Sequence, residues 1–347
     1  MHKSQTTDFK YKRPCLAELE TGKSLQSVSI IILNWNQKKL LNDCLKSVLN
    51  TDYPEVEIIV SDNGSTDGSV ELVKEKFPNV VLIENNANLG FCTGNNVAIK
   101  QAKGDIIVLL NNDTWVDKDW VKELVKASND SNVGIIGCKL LFAGTSIIQS
   151  LGYHSNLLGH HENINLLRVD NQKEVEHVAD VDYVSGAALA IKRSVINEIG
   201  LFDPMFYAYF EDVDLCYRAK EAGYRVIVAP KAVVHHFGSV SWTDYSFKRV
   251  FLTEKNRFLF LFKHYRGLSL LKALTLHDFK NTFQMMREKA KFGGLTVDVL
   301  NQAKGQENRS KSNYRKLISA AADWACAKFL AYLILIQLFT TVRRNRR

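Results

Sequence analysis

Apolar residues come in short blocks along this chain, and each block ends in polar side chains. Residues 27–34 (SVSIIILN) are continuous, β-branched and short, the pattern of a strand buried on both faces. Residues 37–50 follow with apolar positions at Leu40, Leu41, Cys44, Leu45 and Val48, a helical spacing. The same alternation recurs: a strand over 55–63, a helix over 67–77 entered at Asp67, a strand over 79–85, a helix over 93–103 and a strand over 105–113. Strand–helix alternation predicts a mainly parallel, doubly wound α/β sheet with flanking helices and right-handed crossovers.

The polar residues that close these strands carry the first functional signal. The four strands end at Asn34-Trp35-Asn36, Ser61-Asp62-Asn63, Glu84-Asn85-Asn86 and Asn111-Asn112-Asp113. A single cluster would be ordinary turn chemistry, since Asn and Asp favour turns. In an open parallel sheet, however, all four ends share the edge where ligands bind.

Beyond these strands, 133–142 reads as a further strand and 149–166 as a loop region holding His154, His160 and His161. These histidines lack the spacing and fourth ligand of a zinc site and read as solvated loop residues. Residues 181–202 read as strand then helix, and 206–230 as an acidic turn, a helix ending near Gly223 and a strand. Residues 1–26 form a polar arm without the apolar stretch of a secretory signal. At the other end, 329–342 is apolar but short for a membrane span. Lengthening it to Ile318 would bury Asp323 and Lys328, each at about 2.5–3.5 kcal/mol in mid-membrane. The expectation is a helix on the membrane surface or docked on a partner, against the alternative of a helix packed on the globular body.

The net charge of +8 includes four arginines within the last five residues, which suits an anionic partner. No groove-reading motif accompanies that charge, so nucleic acid is not expected as the partner. The six cysteines are scattered singly and read as buried free thiols in a reducing cytoplasm. The localisation that follows is cytoplasmic, peripheral at the inner face of the cell membrane.

Three features can carry chemistry. Asp113 at a rigid strand end suits a hard divalent cation, which takes carboxylate and phosphate oxygens. In YFEDVDL (209–215), Glu211, Asp212 and Asp214 lie among aromatics at a helix start. The helix dipole would favour them there, and partial desolvation would make one a better base. His235 and His236 follow a strand and precede a glycine, and either could be a neutral imidazole ligand.

In order, the segments SIIILNWN, VSDNGSTDGS, NANLGFCTGNNVAI, GDIIVLLNNDT, VDYVSGAALAIKRSV, FYAYFEDVDLCYRAKEAGYRV and AVVHHFGSVS span about residues 27–265. Together they resemble the inverting glycosyltransferases of family 2, which share the GT-A fold, and within them a rhamnosyltransferase-like branch of cell-wall and cell-surface polysaccharide biosynthesis. The resemblance implies a GT-A domain over 27–265, with a nucleotide-binding half (27–130) and an acceptor and catalytic half (131–265). A helical C-terminal region, 266–347, would follow.

It also implies roles. Asp62 would read the base or ribose with Asn34 and Asn36 nearby, and Asn88, Gly90, Phe91, Asn96 and Asn112 would lie beside the donor. Asp113 would bind Mg²⁺ or Mn²⁺ on the diphosphate, with Asn111 standing where the family's first motif aspartate sits. His235 would be the second metal-side contact, in preference to His236. Asp212 would be the base with Glu211 beside it, and Gly186 would line the acceptor side. Lys255 stands where the family carries the arginine of an Arg-Asn pair. The expected donor is a nucleoside diphosphate-sugar, dTDP-rhamnose or a UDP-sugar, and the acceptor a lipid-linked or growing glycan.

Other classes fit less well. A nicotinamide-dependent dehydrogenase would show G-x-G-x-x-G after the first strand, where this chain has NWNQKK. A glycoside hydrolase would set two carboxylates across the scissile bond, whereas Glu211 and Asp212 are adjacent. A nucleotidyltransferase and a catalytically inactive sugar-nucleotide-binding module stay open as alternatives.

Overall fold

The computed structural model describes residues 25–155, 161–164, 168–170, 178–238 and 247–274. The polar arm up to residue 24, His160 and the apolar segment 329–342 with its basic tail lie outside the described residues. The first half follows the alternation in the sequence. Strands β1 (Val28–Asn34), β2 (Val56–Asp62), β3 (Val81–Glu84) and β4 (Ile106–Asn111) alternate with helices α1 (Lys38–Leu49), α2 (Ser69–Lys76) and α3 (Gly90–Gln101). Then come β5 (Thr114–Val116), α4 (Trp120–Ser128), β6 (Val133–Phe142), β7 (Ile148–Ser150), β8 (Tyr153–Ser155), β9 (His161–Asn163) and β10 (Ala179–Asp180). The second half closes with β11 (Ala188–Lys192), α5 (Arg193–Ile199), a 3-10 turn (Pro204–Phe206), α6 (Glu211–Glu221), β12 (Arg225–His236), α7 (Phe247–His264) and α8 (Gly267–Leu274).

One sheet organises the molecule, in the order β10-β12-β6-β11-β4-β1-β2-β3, with β5 on β12 and β7 on β6. The pairs β4–β1, β1–β2, β2–β3 and β6–β12 are parallel. Short β11 runs antiparallel between β4 and β6. The alternation did not foretell that reversal, because a strand of five residues buried on both faces looks alike in either direction. The 149–166 region, expected as loop, instead begins with β7 and a small hairpin of β8 on β9.

Two apolar clusters form, one on each face of the sheet. Ile30, Ile32, Val60 and Val108 pack on one side with Leu41, Cys44, Leu45 and Val48 of α1. Ile31, Ile59, Ile107 and Leu109 pack on the other with Cys92, Ala98 and Ile99 of α3 and with Phe258–Phe262 of α7. Adjacent strand residues thus point to opposite cores, as the two-residue period requires. Each fully buried branched side chain contributes about 1.5–3 kcal/mol. Cys44, Cys92, Cys138 and Cys216 are buried free thiols, and burial pushes the Cys44 thiol up to about 12. Among the described residues, no helix is long and apolar enough to cross a membrane.

Register brings the polar strand ends into line. Asn34 pairs with Asp62, Asp62 with Glu84, and Leu33 with Asn111. The four clusters read from the sequence therefore lie on one edge of the sheet.

Candidate active site

At that edge, side-chain amides and carboxylates tie three strands together. Asn112 Nδ2 donates to Asn34 Oδ1 at 2.8 Å, and Asn34 Nδ2 donates to Asp62 Oδ2 at 2.8 Å. Asp62 Oδ1 accepts from the Ser65 N–H at 2.7 Å. Asn36, at φ 51°, accepts from the Thr66 N–H at 2.7 Å. Asn and Asp bear such a backbone more readily than other side chains. Asn34 and Asp62 are buried, so the pairing satisfies groups that would otherwise be costly to remove from water.

The acid pair sits across the edge, at the first turn of α6. Asp212 is partly buried; its Oδ2 accepts from the Gly186 N–H at 2.9 Å and its Oδ1 from the Val213 N–H at 2.9 Å. Burial holds Asp212 above the usual carboxylate range, and the two N–H groups oppose that shift. Burial, then the adjacent Asp212 charge, pushes Glu211 well above that range. Glu211 Oε2 is buried without a hydrogen-bond partner among the described residues. A Cβ on Gly186 would lie 3.3 Å from the Phe91 ring and 3.6 Å from Asp212, so glycine lets the helix acid approach this loop. Two links connect the pair to the strand ends: Gly186 holds Asp212, and the next residue's carbonyl, Ala187 O, accepts from the Asn111 N–H at 2.8 Å.

Asp214 is a different kind of acid. Burial would raise it, but His264, Arg218 and Lys263 outweigh that and hold it at about 2. It bonds His264 Nε2, Lys263 Nζ and Arg218 Nε at 2.8–2.9 Å and so joins α6 to α7. Its lone pairs are taken up by structure.

The two histidines separate cleanly. His236 Nε2 lies 3.2 Å from Asp113 Oδ1, and its Nδ1 lies 2.7 Å from Gln149 Oε1. His235 Nε2 lies 3.1 Å from Asp117, and its ring stacks on Trp115 at 5.3 Å. The expectation that His235 accompanies Asp113 is therefore corrected to His236. Neighbours on a strand point to opposite faces. Which one faces Asp113 depends on an irregularity around Pro230, where β12 slips against β6 between Ala229 and Val233. An open depression of about 700 Å³, lined by Ser47, Asp117 and Lys231 among others, contains none of the candidate residues.

Comparison with known proteins bears on the family and the fold. The profile of Glycosyl transferase family 2 matches residues 29–198. An N-acetylglucosaminyl-diphospho-decaprenol L-rhamnosyltransferase of Mycobacterium tuberculosis is 31% identical over 217 residues, covering 54% of this chain and 68% of that protein. The chain belongs to glycosyl transferase family 2. The O-antigen biosynthesis protein RfbC of Myxococcus xanthus is 31% identical over 220 residues, which cover 60% of this chain and 17% of that protein. This chain thus spans a quarter or less of the length of some curated relatives it matches. A solved structure with the same GT-A type of fold is the mannosyltransferase PcManGT of Pyrobaculum calidifontis, in complex with GDP-Man and Mn²⁺. Its TM-score is 0.56 at 17% identity, covering 90% of this chain and 87% of that one.

Seen as a family 2 protein, the chain brings most of its expected residues to one rim and gives some a different job. Asn88 Oδ1 accepts from the Gly90 N–H at 3.0 Å, which starts α3 at Gly90 rather than at residue 93. A Cβ on Gly90, at φ 76°, would lie 2.5 Å from the Tyr207 ring. Phe91 meets Phe202 edge-on at 5.8 Å. Asn96, expected beside the donor, is buried and exchanges two hydrogen bonds with the backbone of Phe202, at 2.8 and 3.1 Å. Its amide fastens α3 to the loop leading to the acid pair. Sequence reasoning also missed Gln149 and Asn256, both far from the motifs they support. The only signal for Asn256 was its place after Lys255 in the segment that resembles the family's Arg-Asn helix.

Proposed function

We propose that this chain is an inverting, nucleotide-sugar-dependent glycosyltransferase, with Asp212 as general base and Asp62, Asn34 and Asn112 on the nucleotide side of the donor. The observation that carries the reading is the convergence of Asp62, Asp113 and Asp212 on one sheet edge, with Asp212 held by Gly186 beside the strand end that bears Asp113. The domain division at about residue 130, within a GT-A unit over 27–265, belongs to the same proposal.

A divalent cation, Mg²⁺ or Mn²⁺, fits Asp113 and His236. His236 Nε2 and Asp113 Oδ1, 3.2 Å apart, are a nitrogen and an oxygen ligand that could hold such a cation together. Gln149 Oε1 lies 2.7 Å behind the ring at Nδ1, and an oxygen partner behind a ligating histidine is the usual support. Among the described residues no group of three or more His, Cys, Asp or Glu is placed to hold a metal ion. Water and donor phosphates would therefore supply the remaining ligands, as is common for Mg²⁺. When bound, the cation would offset charge on the departing diphosphate.

The protein's own groups then do the following. The Asn112-Asn34-Asp62 chain fixes the nucleoside. Asp212 takes the proton of an acceptor hydroxyl whose oxygen bonds to the anomeric carbon. The bond to the diphosphate breaks on the opposite face, and the nucleoside diphosphate leaves with the electron pair, so configuration inverts. A carboxylate lifted by burial is a stronger base for this step. Glu211 keeps the surroundings of Asp212 acidic and poorly solvated.

For the sugar, rhamnose on dTDP is the first choice, because the M. tuberculosis relative is named an L-rhamnosyltransferase. That relative's name also supports a lipid-linked or growing cell-surface glycan as acceptor. Such an acceptor would place the chain peripherally at the cytoplasmic face of the membrane. The test is a screen of dTDP-rhamnose, UDP-GlcNAc and GDP-mannose with and without Mn²⁺, read as released nucleoside diphosphate. One donor should be consumed in a metal-dependent way. Binding of a donor without release in the presence of glycan acceptors would instead identify an inactive sugar-nucleotide-binding module, and pyrophosphate release from a nucleoside triphosphate a nucleotidyltransferase.

A further inference from the structure

The segment delivering Glu211 and Asp212 is held in an unusual backbone. Tyr207 has φ 63° and ψ −60°, and the Ala208 N–H reaches back to Phe206 O at 2.7 Å. Together these make a γ-turn of the rare positive-φ kind. Tyr209 at φ 71° and Phe210 at φ 69° follow. Three aromatic residues within four positions thus occupy the left-handed half of backbone space, which bulky side chains avoid. Such a run persists only when its surroundings over-determine it.

Those surroundings come from two helices. From α3, the Phe91 and Cys92 N–H groups donate to Tyr207 O at 2.8 and 3.1 Å, and Gly90 lies under the Tyr207 ring. From α7, the Asn256 side-chain amide lies 2.7 Å from each of three carbonyls, Phe206 O, Ala208 O and Tyr209 O. Three acceptors around Nδ2 fix which end of that amide faces the turn. Asn256 is fully buried, and its Oδ1 has no partner among the described residues. An apolar side chain of equal size would leave these carbonyls without that donor, so the amide serves the turn rather than filling space. The neighbouring Lys255 Nζ adds a bond to Met205 O at 2.9 Å.

We propose that Asn256 is a positioning residue for glycosyl transfer: its amide clamps the Phe206, Ala208 and Tyr209 carbonyls, holds the strained turn closed, and so sets where α6 begins and where Asp212 stands relative to the donor. The inference rests on the reading of Asp212 as base and extends it to a helix beyond the 29–198 family match. The hydrogen bonds of Asn256 run to the turn and not to the strand-end residues Asn34, Asp62 and Asn112, so its effect is expected on turnover more than on donor affinity.

The test compares Asn256→Leu, which keeps volume and removes the donor, with the unmodified chain on dTDP-rhamnose, UDP-GlcNAc and GDP-mannose in the presence of Mn²⁺. A misplacement of about 1 Å costs about 100-fold in rate, so kcat should fall about that far while KM for the donor changes less than threefold. Lys255→Met, which removes only the adjoining link, should fold normally and lower kcat severalfold with the same unchanged KM. Hydrogen exchange over 205–212 should quicken in Asn256→Leu while exchange in β1, β2 and β4 stays as it was. Unchanged kcat, parallel loss of kcat and KM, or unchanged exchange in the turn would each overturn the clamp. If the unmodified chain turns over none of the three donors, the function proposed above fails, and the exchange measurement still decides the clamp.

Discussion

The strand-end side and the acid side of the site are built on opposite principles. Asn34, Asp62 and Asn112 sit on regular parallel strands in register and pair with one another. Glu211 and Asp212 follow a turn of three left-handed aromatic residues; burial raises both carboxyls, and one Glu211 oxygen has no partner among the described residues. The first arrangement suits a surface that must recognise the same ligand each time. The second stores unfavourable backbone and desolvation free energy around the carboxylate proposed as the base. On the proposed reading, binding falls to the regular, satisfied side and chemistry to the strained, under-solvated one.

The contrast can be broken by substitution, and the largest effect is expected on the acid side. Asp212→Asn keeps the shape and the Gly186 contact but cannot take a proton. Its turnover should fall by about 10²–10⁴-fold, the usual contribution of a general base, and near-normal turnover would reject the assignment. Next is the histidine pair. His236→Ala should raise the Mn²⁺ concentration for half-maximal turnover by about 10–100-fold, while His235→Ala should shift it less than twofold. The reverse pattern would return the metal side to His235.

A smaller effect should appear in stability. The folded state holds Glu211 protonated to higher pH than the unfolded chain does, so stability falls as pH rises from the ordinary glutamate range through the raised folded value. Glu211→Leu removes that penalty and should be more stable than the unmodified chain at pH 8, by about 1 kcal/mol or more, as for relieving a buried unpaired group. The gain should shrink toward pH 4. Urea unfolding at the two pH values measures it, and an equal difference at both would argue against a buried charge.

The two sides also differed in how far the sequence revealed them. Strand ends were readable because apolar blocks mark strands and parallel neighbours share an edge; Asn34, Asp62 and Asn111 needed only that rule. The Glu211–Asp212 pair stood out as carboxylates among aromatics. What could not be read depended on distant partners. The irregularity at Pro230 decides which histidine faces Asp113. The backbone of Phe202 occupies Asn96, 106 residues away. Asn256 gains its role only when α7 folds back on the turn, some fifty positions earlier in the chain. Single-residue patterns carry no trace of such long-range pairings.

The most direct test sets the two sides against each other in one experiment: equilibrium binding of dTDP-rhamnose, UDP-GlcNAc and GDP-mannose with Mn²⁺, and single-turnover rates at saturating donor, for Asp62→Ala and Asp212→Asn. Loss of hydrogen bonds to a charged group, about 1.5–3 kcal/mol, should weaken binding by Asp62→Ala at least tenfold and leave its saturated rate within a few fold. Asp212→Asn should bind as the unmodified chain does and lose its rate. If instead both variants lose affinity and rate together, the division of labour between strand ends and acid pair is wrong.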